Sequence, residues 1–81
     1  MIIKEDVEHE LARLIGTVSG NDPGSDVAAD ASLQEELGID SLALVELAEE
    51  IEERYGVRVP DEDLDALRTF GDLVDYLHAR A

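Results

Sequence analysis

Apolar residues recur along this chain in three separated stretches, at spacings of three and four that mark a single helix face. In the first stretch, Ile3, Val7, Leu11, Leu14, Ile15 and Val18 predict a helix over about residues 4 to 18, closed by Gly20. In the second, Leu44, Leu47, Ala48, Ile51 and Tyr55 share one side of a helix that starts at Ser41, runs to about Tyr55 and stops at Gly56. In the third, Phe70, Leu73, Val74 and Leu77 form the inner face of a helix over about residues 70 to 80. Thr69 can cap it, with Asp72 at the third helical position, and His78 and Arg80 fall in its last turn, where positive charge is favoured.

The connecting segments carry their own signals. Ser32-Leu33-Gln34-Glu35 fits the S-x-x-E capping box and predicts a short helical turn, ended by Gly38 and burying Leu33 and Leu37. VRVP, residues 57 to 60, reads as extended, and PDEDLDAL predicts a short helix opened by Pro60 or Asp61 with acids in its first turn. SGNDPGSDVAADA, residues 19 to 31, is a long loop by composition, of a length that is seldom idle in a small domain. The expected fold class is all-α: a small bundle of three longer helices plus one or two short ones, without a strand or an internal repeat.

The polar face of the second helix changes this picture. Opposite the core stripe lie Leu42, Glu46, Glu49 and Glu53, with Val45 at the margin. A line of glutamates alone is a solvated face, and single exposed apolar residues are ordinary. Two apolar side chains beside Ser41 with an acidic fringe read instead as a face on which a partner docks.

Eighty-one residues allow one domain, spanning 1–81, whose core is small because so short a chain buries only about 60% of the surface its unfolded form exposes. A deep, water-excluding catalytic cleft does not fit. Twenty-one acids against six Lys and Arg leave a net charge of −15 at pH 7. That surface repels nucleic acid and anionic lipid and favours partners with basic patches. No stretch approaches the roughly 20 apolar residues of a membrane span, and Lys4 interrupts the N-terminus too early for a signal peptide, so a cytoplasmic monomer is expected. Cysteine is absent, so any thiol chemistry has to come from an attached group.

The residue that calls for chemistry is Ser41, in GIDSL at the mouth of the second helix. It can be an N-cap, since serine oxygen accepts readily from a first-turn N–H. As a nucleophile it would need a base, and the only histidines, His9 and His78, lie on the two terminal helices; the G-x-S-x-G elbow is also missing. As a modification site it has the right surroundings, because a helix N-terminus favours a phosphate. Asp40 would repel that phosphate, and makes more sense as a carboxylate that holds a metal or a basic group during attachment. DPGSDVAAD lacks the spacing and terminal glutamate of an EF-hand, so no resident metal is expected.

LGIDSLALVELAEEIEERYGVRVPDEDL, residues 37 to 64, followed by DYL at 75 to 77, resembles the acyl carrier protein family. By itself D-S-L is a weak match; D-S-L opening an acidic helix, with VPDED and DYL at these distances, is a strong one, and the resemblance covers nearly the whole chain. It implies a non-enzymatic carrier in which Ser41 receives 4′-phosphopantetheine from coenzyme A, loaded by a phosphopantetheinyl transferase with Mg²⁺ while Asp40 sits at the transferase's active centre. Leu42, Val45, Glu46 and Glu53 would match positions that meet basic patches on acyl-loading and acyl-transferring enzymes. Leu44, Leu47, Ala48, Ile51 and Leu67 would line the acyl pocket. Ala43 and Leu44 depart from the polar residues that primary-metabolism members more often have after the motif, and GIDSL differs from the GG-x-S-L of peptidyl carriers. The reading is a discrete carrier that shuttles thioesters between enzymes of polyketide, fatty-acid or related biosynthesis. Its alternatives are a stand-alone aminoacyl or peptidyl carrier and, in another class, an acidic helical adaptor without a prosthetic group.

Overall fold

The ends of the first two helices are fixed by glycines in the left-handed region, where a Cβ would be strained. Gly20 has φ 78° and Gly56 has φ 68°. Each donates its N–H back into the helix it closes, to Gly16 O at 3.0 Å and Glu52 O at 2.8 Å respectively. The computed structural model describes residues 3–20 and 27–80. It contains α1 (Lys4–Ser19), α2 (Ser41–Tyr55), α3 (Asp61–Leu64) and α4 (Phe70–Arg80). Residues 21–26, the middle of the long loop expected at 19 to 31, lie outside the described residues.

The bundle forms because the three periodic stripes face one another. α1 packs on both α2 and α4, and α3 packs on α2. Val7, Leu11 and Ile15 of α1, Leu47 and Ile51 of α2, and Leu73, Val74 and Leu77 of α4 are all but fully excluded from solvent. Each such side chain contributes about 1.5–3 kcal/mol of apolar burial, which is what orders helices of only three to four turns. Ile3, expected on the α1 stripe, is instead 58% exposed. It stands before the helix in extended backbone (φ −86°, ψ 136°), so the helical period does not carry to it.

The Thr69–Asp72 cap of α4 is formed in both directions. Thr69 Oγ1 accepts the Asp72 N–H at 3.1 Å, and Asp72 Oδ2 accepts the N–H groups of Thr69 and Arg68 at 3.2 Å each. These bonds to the ionised carboxylate hold its pKa below the usual value.

The expected short turn after Ser32 forms but does not lengthen into a helix. Ser32 Oγ does accept the Glu35 N–H at 3.1 Å, but Glu36 and Leu37 both donate to the single carbonyl of Ser32 and no helix propagates. The cause is non-local. Leu33 N–H donates to Arg68 O, Phe70 N–H to Ala31 O and Gly71 N–H to Ala29 O, with an antiparallel bridge between Ser32 and Thr69. Pairing with 68–71 at one end and left-handed Gly38 at the other leave room for one turn, so among the described residues there is one short helix, α3. This bridge is also the nearest approach to a strand there.

Candidate functional site

The approach to α2 is built by a buried anchor and a cap. Ile39, 2% exposed, donates its N–H to Leu33 O at 2.7 Å and pins the chain just before the helix. Asp40 then takes extended backbone, and its Oδ1 accepts the Ala43 N–H at 2.8 Å while its carbonyl accepts the Leu44 N–H at 2.8 Å. Asp40 is therefore the N-cap, and the reading of Ser41 as cap is corrected. Aspartate caps as well as serine does, and with the two adjacent the bonding choice falls to the one whose side chain reaches back over the first turn.

That leaves Ser41 as the first helical residue, exposed, its hydroxyl making no hydrogen bond among the described residues. Its own N–H and that of Leu42 likewise have no acceptor there. An oxygen on a helix start, with unpaired N–H groups and the positive end of the helix dipole beside it, suits an attached phosphate. Neither histidine borders this place.

Ser41 stands on the rim of a cavity of about 450 Å³ between the start of α2, the 32–35 turn and the segment after α3. Leu33, Ile39, Leu44, Leu64 and Leu67 give it apolar walls, and Glu35, Asp40, Asp65 and Arg68 give it a charged edge. Of the residues expected to line an acyl pocket, Leu44 and Leu67 border this cavity. Leu47 and Ile51 are in the filled core, at 0% and 1% exposure, and Ala48 borders a separate shallow recess with Val45, Glu49 and Arg58. α3, which forms one wall, is tied to α4 by the Tyr76 hydroxyl donating to Asp63 Oδ2 at 2.6 Å. That bond raises the tyrosine's pKa.

The outer face of α2 is as the pattern indicates. Leu42 is 69% and Val45 43% exposed, and with Ile3 they are the large apolar side chains most open to water among the described residues. Glu46, Glu49 and Glu53 are exposed around them. The structure thus brings Leu42, Val45 and three glutamates onto the helix whose first residue is Ser41.

A family model described as the phosphopantetheine attachment site matches residues 9–77. The chain belongs to the acyl carrier protein family. It is 47% identical over 74 residues to the acyl carrier protein of Rhodococcus erythropolis, covering 91% of this chain and 80% of that one. It is 46% identical over 74 residues to the meromycolate extension acyl carrier protein of Mycolicibacterium smegmatis, covering 91% and 74%. A solved acyl carrier protein structure from Mycobacterium tuberculosis superposes with a TM-score of 0.80 at 26% identity, covering 90% of this chain and 96% of that one.

An acyl carrier protein is a carrier and not a catalyst, bears 4′-phosphopantetheine covalently and works with synthase and transferase enzymes. The adaptor without a prosthetic group is therefore set aside. No helix among the described residues is long and apolar enough to cross a membrane. Sequence reasoning missed several residues at this carrier's site. Leu33, Ile39 and Leu64 wall the cavity, and Arg68 stands at its edge, because the Ser32–Thr69 bridge brings together segments far apart in sequence. Asp40 as cap was legible in principle, since an acid one residue before the first helical position is itself a cap signal.

Proposed function

We propose that Ser41 bears the 4′-phosphopantetheine and that residues 1–81 act as one carrier domain, passing acyl thioesters between enzymes of fatty-acid, polyketide or related biosynthesis. The observation that carries this is the unbonded, exposed Ser41 hydroxyl at the start of α2, on the rim of the cavity. The attached group supplies the thiol that this chain lacks and holds the acyl group on it as a thioester. The domain's own residues supply the rest. Asp40 fixes the first turn so that Ser41 projects, and presents a carboxylate to the phosphopantetheinyl transferase that loads it. Leu42 and Val45, ringed by Glu46, Glu49 and Glu53, offer an apolar spot with a negative fringe to basic patches on partner enzymes, a combination that steers fast and exchangeable docking. Leu44 and Leu67 shelter cargo at the cavity, with Leu47, Ala48 and Ile51 beyond them in or beside the core. The likeness to acyl and meromycolate-extension carriers supports acyl over aminoacyl cargo.

The test is an intact mass measurement after incubation with coenzyme A, Mg²⁺ and a broad-specificity phosphopantetheinyl transferase. Wild type gains one phosphopantetheine and Ser41→Ala gains none. A folded wild type that gains nothing, or a Ser41→Ala variant that still gains the group, overturns the assignment.

A further inference from the structure

In a chain of net charge −15, the cavity beside Ser41 has an unexpected resident. Its charged edge consists of Glu35, Asp40, Asp65 and one base, Arg68. Arg68 is held firmly at its root: its N–H donates to Asp72 Oδ2 at 3.2 Å and its carbonyl accepts the Leu33 N–H at 3.0 Å. Its head is free. The guanidinium makes no ion pair or hydrogen bond among the described residues, although Glu35, Asp40 and Asp65 line the same cavity and Asp72 lies within its field. A pinned backbone carrying an unpartnered guanidinium is a donor set waiting for an acceptor, and the fork of that group matches a phosphate better than any other side chain does.

We infer that Arg68 binds the phosphodiester of the arm on Ser41 and so orients the arm across the mouth of the cavity. This rests on the assignment of Ser41 as the attachment residue. Attachment adds one negative charge to an edge that already has three acids against one base, with Asp40 the immediate neighbour. Arg68 is the one cavity side chain that offsets that charge; the two free N–H groups at the start of α2 only supplement it. Arg68 is thus a positioning residue: it forms no bond to the cargo and takes no part in loading chemistry.

The experiment uses wild type, Arg68→Gln and Arg68→Lys, each converted to the holo form and verified by intact mass. The readouts are the ¹H–¹⁵N cross-peak of the Arg68 Nε–Hε group before and after loading, and the ³¹P resonance of the arm at low and high salt. The expected result is a displaced Nε–Hε peak in holo wild type. The ³¹P position should differ between wild type and Arg68→Gln at low salt, be largely retained in Arg68→Lys, and converge at high salt. The substitutions leave the backbone bonds of residue 68 in place, and backbone amide spectra check that the fold persists. An Nε–Hε peak unmoved by loading, or a ³¹P resonance indifferent to Arg68→Gln, overturns the inference. A peak that moves only when a cargo with its own carboxylate is added also overturns it, and assigns Arg68 to cargo instead. A wild type that takes up no arm fails at the mass measurement, and then it is the Ser41 assignment that has failed.

Discussion

Asp40 and Ser41 are adjacent, and substituting each separates capping from attachment. Asp40→Ala removes the bond from Ala43 N–H to Oδ1 at 2.8 Å and leaves that N–H to water. Loss of an N-cap side chain costs about 0.5–2 kcal/mol, and this bond is exposed, so a value near 1 kcal/mol is expected. In a domain of this size 1 kcal/mol lowers Tm by about 4–8 °C. Ser41→Ala removes a hydroxyl with no partner at an exposed first helical position, where the change should stay within about 0.5 kcal/mol and alanine's helix propensity acts in its favour. Asp40→Asn retains a good cap and removes only the charge. Thermal melts followed by circular dichroism should therefore place Asp40→Ala clearly below the other two. In the loading assay the order changes: Ser41→Ala takes no arm, while Asp40→Asn loads at least about tenfold more slowly, a barrier increase of about 1.4 kcal/mol. A Ser41→Ala variant as destabilised as a lost cap, beside an Asp40→Ala variant that melts with wild type, would refute the capping geometry. Wild-type loading by Asp40→Asn would reduce Asp40 to a cap and nothing more.

Charge reversal at Glu46 or Glu49, both exposed on α2, should slow loading by the transferase and weaken its salt dependence without lowering Tm; unchanged rates in both variants would mean that docking uses another face. Asp72 has a folded pKa depressed below 3.8 by backbone N–H bonds from Arg68 and Thr69, so its contribution is fully present above that value and is lost as pH falls through the folded pKa. The Tm of Asp72→Asn should accordingly run parallel to that of wild type above about pH 4 and converge on it as pH falls further, by a small amount because the carboxylate is open to water; profiles that stay parallel below about pH 4 would exclude it. Gly71→Ala sets a new Cβ 2.8 Å from Ala29 O, a backbone atom held by the Gly71 N–H itself, and overpacking of this kind costs about 1–3 kcal/mol. Urea denaturation with an unchanged midpoint would show that the 29–31 segment yields freely.

Much of this architecture was legible because it is periodic and local. The stripes of α1, α2 and α4 gave their inner faces directly, and the Thr69–Asp72 cap and the closing glycines are signals that lie within a few residues of what they control. Legibility failed where bonding is shared between distant segments. Ser32 caps the short turn its capping-box pattern predicts, yet nothing in that pattern shows that its neighbours pair with residues 68–71, which keeps the turn from lengthening into a helix. The same bridge builds the cavity wall and sets Arg68 at its edge, which no spacing in the sequence announces. At Asp40 and Ser41 the failure was of another kind: two good caps in succession, with only side-chain geometry to choose between them.

That cavity also divides the residues expected to meet cargo into two groups with different physics. Leu47 and Ile51 are packed at 0% and 1% exposure, so cargo lying against them has to part α2 from its neighbours, giving up contacts that truncations price at about 2–5 kcal/mol each. Leu44 and Leu67 border open space and can cover a short chain with no such cost. Short cargo should therefore rest at the rim, and longer cargo should gain little more shelter unless it repays the opening of the core. Leu44→Trp, which fills the rim from a half-buried position, tests this without emptying the core, whereas Ile51→Ala would confuse shelter with stability. The assay is hydroxylamine cleavage of the thioester on holo protein loaded with a short and a long acyl chain. Cleavage of the short-chain thioester should accelerate several-fold in Leu44→Trp, with a smaller change for the long chain, while Tm stays near wild type. Equal cleavage rates in wild type and variant for both chains would mean that the cavity shelters nothing, and that cargo is carried in solvent at the end of its arm.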